Sequence, residues 1–114
     1  MADCLFCRIV QRALPAQIVA EDDATLAFTD IKPQAPTHVL VVPKTHIPNV
    51  AALTETTVSA LDRSVLMANR LAAQLGIAKR GYRLVINCGP DGGQTVDHLH
   101  VHMLGGRSMT WPPG

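Results

Sequence analysis

The sequence predicts an α+β fold with a largely antiparallel sheet, and three observations carry that prediction. The elements run helix, hairpin, strand, helix, then two strands joined by a glycine-rich loop. One stretch alone, between Leu53 and Gly76, repeats its apolar residues with a long helical period. Near the C-terminus, residues 97–106 alternate His98, His100 and His102 with Leu99, Val101 and Met103, the period of a strand that buries one side and keeps the other for chemistry.

A chain of 114 residues fits one domain, 1–114, large enough for a real core and small enough that a partner could supply part of it. Hydrophobic residues make up 47% and charged ones 17%, which argues against disorder. The net charge is +1 with no cluster of lysine and arginine, so there is no footprint for nucleic acid or an anionic membrane, and any phosphate must be held by local groups. The N-terminus lacks the basic and long apolar regions of a secretory signal, and no run approaches about 18 apolar residues, so the chain reads as soluble and cytoplasmic. Three cysteines are too few for a disulfide framework.

Asp3 is positioned to cap a short helix through Val10, which Leu14-Pro15 ends. Residues 17–21 and 24–29 read as a hairpin about Asp22-Asp23. Pro33-Gln34-Ala35-Pro36 is a loop, because each proline fixes its own φ and biases the preceding residue away from helix. Residues 37–43 are β-branched and almost continuously apolar, the pattern of a central strand covered on both faces. Thr54 is a good N-cap for the long helix, whose apolar positions Leu53, Val58, Leu61, Val65, Ala68, Ala72 and Leu75 lead to Gly76 as the residue beyond its end. Residues 82–88 form another strand, with Cys88 in the core, before the glycine loop and the histidine strand. The tail Trp111-Pro112-Pro113-Gly114 is too short to fold alone.

Three imidazoles at strict period two are more than a polar strand face needs. Ring-bearing positions about 6.6 Å apart can close on one phosphate-sized group. Histidine attacks phosphorus through a neutral ring nitrogen, the majority form at pH 7 for an ordinary pKa near 6.5. The candidate catalytic residues are His100, His102 and His98: the central His100 is the nucleophile, flanked by His98 and by His102 as the orienting or acid group. The glycine loop has neither a dinucleotide nor a P-loop pattern. Gly92 and Gly93 nevertheless permit close backbone approach, and Gln94, Thr95 and Asn87 add donors, so this is either an anion nest or a plain tight hairpin. Cys4, Cys7, His46 and His98 make a possible tetrahedral zinc set, in competition with a redox-active or merely buried Cys-x-x-Cys. A metal on the histidine strand itself is a further alternative.

At these residues the chain resembles a known family. His98-Leu99-His100-Val101-His102-Met103-Leu104 matches the His-φ-His-φ-His-φ-φ signature of the histidine triad (HIT) superfamily, and the resemblance extends over almost the whole chain. Asp30-Ile31, Pro33 to His38, Gly92-Gly93-Gln94, Leu104 to Arg107 and the tail Trp111 to Gly114 look like the Hint branch, the histidine triad nucleotide-binding proteins. The resemblance implies a HIT-like fold, with a five-stranded, mainly antiparallel sheet, one long helix and one short N-terminal helix. It also implies a homodimer whose two sheets join into one of ten strands.

By activity it implies a purine nucleoside phosphoramidase that cleaves adenosine 5′-phosphoramidates to AMP and an amine. The alternatives are a dinucleoside polyphosphate hydrolase, or a nucleotide-binding or scaffold protein with vestigial hydrolysis. By position, His100 becomes nucleotidylated, while His102, Asn87, Gly93 and Thr95 hold the α-phosphate. Phe28, Asp30, Ile31 and His38 line the nucleoside pocket, with Asp30 on the ribose hydroxyls, and Trp111 approaches the partner's site. Thr95 stands where many relatives have serine, adding a methyl group beside the leaving amine. Bacterial members resemble this chain in the Cys4, Cys7, His46 and His98 pattern, which implies a structural zinc and no metal in catalysis.

Overall fold

The structure is a computed structural model in which residues 3–114 are described. A short helix α1 (Leu5–Val10) precedes the hairpin β1 (Ile18–Glu21) and β2 (Thr25–Thr29); then follow β3 (Thr37–Pro43), a 3-10 turn (Val50–Ala52), the long helix α2 (Ser59–Gln74), β4 (Tyr82–Val85) and β5 (Val101–Gly105). The five strands form one sheet in the order β1-β2-β3-β5-β4, and every pairing is antiparallel. The α+β class and the element order are those expected from the sequence.

The hairpin closes because Asp22 Oδ1 accepts from the backbone N–H groups of Ala24 at 3.0 Å and Thr25 at 2.9 Å, a local turn that aspartate makes well. The sheet has two unlike faces. On one, Ala27, Val39, Val41, Val101 and Met103 pack under Met67, Ala68, Leu71 and Ala72 of α2. On the other, Leu26, Phe28, Leu40 and Val42 pack with Phe6 and Ile9 of α1. The middle strand β3 contributes alternate residues to both, which is why it reads as nearly continuous apolar sequence.

Several expectations need correction. The N-cap of α1 is Cys4, whose Sγ accepts from the Cys7 N–H at 3.4 Å, in place of Asp3. Helix α2 starts at Ser59, because residues 54–58 form turns in which the Thr54 carbonyl accepts from the N–H groups of Thr57 and Val58. Its core stripe is Ser64, Met67, Ala68, Leu71 and Ala72, leaving Val58 and Leu75 exposed. The strand holding the histidines begins only at Val101. β3 ends at Pro43, which has no N–H to pair, so residues 97–100 leave the ladder and are held by the Leu99 N–H on the Ile47 carbonyl. With that neighbour gone, β4 stops at Val85 rather than residue 88, and Cys88 is a half-buried free thiol outside the core.

Candidate active site and metal cluster

The alternation survives the loss of regular strand. Leu99, Val101 and Met103 are at most 1% exposed, Val101 and Met103 packing under α2, and the three imidazoles lie toward α1. The His100 and His102 ring centres are 5.0 Å apart, and the edge of Phe6 meets the His100 ring at 5.1 Å.

Partners that can only donate or only accept fix the tautomer of each ring. The His98 carbonyl accepts from His100 Nδ1 at 2.7 Å, so Nδ1 carries the hydrogen and Nε2 keeps its lone pair. The Gln34 N–H donates to His38 Nδ1 at 3.0 Å, so the hydrogen of His38 is on Nε2. His38 Nε2 is 2.9 Å from His102 Nδ1 and 3.4 Å from Asp30 Oδ2, both acceptors. His102 therefore carries its hydrogen on Nε2. Burial, with the positive forms of His100 and His38 as neighbours, pushes the His102 pKa down to about 4, and burial lowers that of His38. A lone pair on His100 Nε2 thus stands beside a neutral N–H donor on His102.

Both rings line a cleft of about 650 Å³ between α1 and β2, a volume that suits a nucleotide-sized ligand. Phe28, Asp30, Ile31 and Thr95 line it as well; Ile31 is 93% exposed at its rim. His38 sits behind His102, outside the lining, and acts on the site through that ring. Asn87 Nδ2 donates to the Gly92 carbonyl at 2.7 Å, close to Gly93, whose φ is +80°. Gly92 is required sterically, since a Cβ there would stand 2.3 Å from the Cys88 carbonyl oxygen. The Gln94 amide braces the loop: Oε1 accepts from the Gly89 N–H, and Nε2 donates to the carbonyls of Pro48 and Val96. Trp111 is 83% exposed in the single chain and does not line the cleft.

Cys4, Cys7, His46 and His98 converge from opposite ends of the sequence, with all four ligand atoms within 4.8 Å of one another. His98 Nδ1 lies 3.3 Å from Cys4 Sγ, 3.5 Å from Cys7 Sγ and 3.2 Å from His46 Nδ1, and Cys7 Sγ lies 3.3 Å from His46 Nδ1. A tetrahedral ion with bonds of about 2.0–2.3 Å has edges of roughly 3.3–3.8 Å, close to these separations. The Pro43 carbonyl accepts from His98 Nε2 at 2.8 Å, leaving Nδ1 free to coordinate, the outer-shell arrangement usual for a metal-binding histidine. Burial, then Cys4, pushes the Cys7 thiol up in the absence of a cation. These residues could hold a metal ion.

A second group, Asp30, His38 and His102, is as compact but fits a metal poorly. An ion on His38 Nε2 would displace its hydrogen, and Nδ1 cannot take that hydrogen while the Gln34 N–H points at it.

Sequence reasoning missed Phe6, which touches His98, His100 and Phe28 at once, and the pairing of His38 with His102. The second had only a partial signal: β5 alternates but β3 is almost continuously apolar, so His38 joins the histidine face only once Leu40 pairs with His102.

A family model described as the HIT domain matches residues 11–109. The chain is 53% identical over 112 residues to an uncharacterized HIT-like protein of Synechococcus elongatus, covering 98% of this chain and 97% of that one. A second uncharacterized HIT-like protein, from Synechocystis, is 51% identical over the same shares. Among solved structures, a HIT family hydrolase from Legionella pneumophila superposes with a TM-score of 0.96 at 49% identity, covering 98% of this chain and all of that one. Another from Clostridium thermocellum gives 0.94 at 48% identity, covering 96% of each. With its triad in place on the same fold, the chain belongs to the HIT domain family.

Proposed function

We propose that the protein is a Hint-type purine nucleoside phosphoramidase, cleaving adenosine 5′-phosphoramidates to AMP and an amine through a nucleotidyl-His100 intermediate. The observation that carries this reading is the pair of opposed tautomers, a lone pair on His100 Nε2 next to a hydrogen on His102 Nε2, at one wall of a nucleotide-sized cleft. In the first step the Nε2–P bond forms as the P–N bond breaks; the departing nitrogen takes a proton from water and leaves as the amine, with the neutral His102 Nε2–H hydrogen-bonded to it. In the second, water attacks phosphorus, the Nε2–P bond breaks, and the attacking water gives back to solvent the proton taken in the first step. The His38 N–H against His102 Nδ1 keeps that ring's hydrogen on Nε2, facing the cleft, through both steps.

In this reading Asp30, at the cleft wall, accepts from ribose hydroxyls, Phe28 and Ile31 flank the purine, and Thr95 holds phosphate oxygens together with Asn87 and Gly93, which lie outside the cleft lining on the neighbouring glycine loop. The Cys4, Cys7, His46 and His98 cluster is assigned to a structural zinc, which when bound fastens α1 to the loop before β5. Zinc would take no part in the chemistry, because His98 presents Nδ1 to the cluster and only its carbonyl to His100. Two copies are expected to join through β4, which pairs only with β5 and so offers an open edge, to make a ten-stranded sheet that brings Trp111 toward the partner's cleft.

The test is AMP release from an adenosine 5′-phosphoramidate, with a dinucleoside polyphosphate as the competing substrate. The reading expects faster turnover of the P–N substrate and loss of turnover by at least about a thousandfold in His100→Ala. Preference for the polyphosphate would make the protein a polyphosphate hydrolase using the same residue. Tight AMP binding with turnover of neither substrate would make it a nucleotide-binding protein.

A further inference from the structure

The hydrogen-bond chain behind His102 continues past His38 to the surface. β5 ends with Gly105 opposite Thr37, and the chain then runs on beside the loop before β3. Gly106, with φ +89°, lies so close to Pro36 that a Cβ would stand 2.9 Å from the proline Cβ. One residue later, Arg107 Nε donates to the Gln34 carbonyl at 3.0 Å, and its Nη1 donates to the Ser108 carbonyl at 3.0 Å. Gln34 also ties its own amide to the Lys32 carbonyl at 3.0 Å. Its N–H is the group that donates to His38 Nδ1.

We propose that Arg107, an exposed residue outside the cleft lining, is a positioning residue that sets the tautomer of His102 by holding Gln34. The argument rests on the reading of His102 Nε2–H as the donor to the leaving group. While the Gln34 N–H faces His38 Nδ1, no hydrogen can sit there, so His38 must donate from Nε2 and His102 must accept at Nδ1. If Gln34 swings away, His38 gains a second tautomer with its hydrogen on Nδ1 and an acceptor on Nε2. His102 then answers by moving its hydrogen to Nδ1, and the cleft-facing nitrogen loses its proton. Asp30 Oδ2, 3.4 Å from His38 Nε2, still favours the working tautomer, so the effect of losing Arg107 is partial.

Two substitutions isolate the single bond. Arg107→Met keeps the side chain out to the position of Nε and removes the donor, whereas Arg107→Gln puts an amide nitrogen the same number of bonds from Cα as Nε. Nitrogen-15 spectra of histidine-labelled protein report each ring's tautomer directly. Wild type is expected to show hydrogen on Nε2 of both His38 and His102. Arg107→Met should show mixed tautomers at both rings, with kcat down by about tenfold and KM within about twofold. Arg107→Gln should restore the wild-type spectra and most of kcat. Wild-type tautomers in Arg107→Met, or equal impairment of both variants, would overturn the proposal. If wild type fails to cleave the phosphoramidate, the hydrolase reading falls, while the spectra still decide the role of Arg107.

Discussion

At the scale of the residue, the site depends on which ring nitrogen carries a hydrogen, and each assignment follows from a backbone group: the His98 carbonyl for His100, the Gln34 N–H for His38, the Pro43 carbonyl for His98. A neutral His102 also leaves a signature in stability. Its folded pKa of about 4, like the lowered value of His38, lies below the roughly 6.5 of an unfolded chain. Between those values the unfolded chain binds protons that the folded one refuses. Stability from these rings is therefore complete above about pH 6.5 and is lost as pH falls toward 4, with a slope of at most about 1.4 kcal/mol per pH unit for each proton and less where water screens the ring. Urea midpoints at pH 7 and pH 5 check this, and His102→Asn should reduce the difference between them. An identical difference in wild type and variant would show that His102 titrates normally. The triad itself was legible because its period needs no partner. The pairing of His38 with His102 was not, because it arises only when β3 and β5 align and because a backbone N–H, invisible as sequence, decides the tautomer.

At the scale of the element, α1 is the piece with the least support of its own. Six residues make a marginal helix, and its cap is a cysteine thiol. Cys4 and Cys7 belong to the cysteine-histidine cluster that could hold a metal while Phe6 and Ile9 pack on the sheet and line the cleft, so one short helix joins the two sites. Removing the metal should therefore loosen a wall of the cleft. Chelation, or Cys7→Ser, is expected to lower Tm by about 10 °C or more, with elemental analysis showing loss of close to one zinc per chain. A chain purified without chelator that carries no zinc, or a Tm indifferent to chelation, would contradict the metal assignment. Elements whose apolar period matched their burial, such as β3 and the body of α2, were readable from the sequence. Their ends were less so: Pro43 ends one strand and thereby shortens two others, and the turns after Thr54 delay the start of α2, all effects of neighbours rather than of local pattern.

At the scale of the whole molecule, the sheet divides the work between its faces. The α2 face is a closed apolar core, and the α1 face carries the histidines, the cleft and the cysteine cluster. β3 and β5, adjacent at the centre, serve both, so His38 and His102 sit on strands held from two sides, and His100 stands immediately before β5. None of the described helices is long and apolar enough to cross a membrane. The claim that unites these features is that His100 Nε2 forms a bond to phosphorus. The measurement that tests it most directly is the intact mass of the protein, quenched within its first turnovers on an adenosine 5′-phosphoramidate and followed by peptide mapping. The account predicts a transient adduct of one adenylyl group at His100, lost as AMP accumulates and missing in His100→Ala. Turnover without any adduct, or an adduct on another residue, would contradict it.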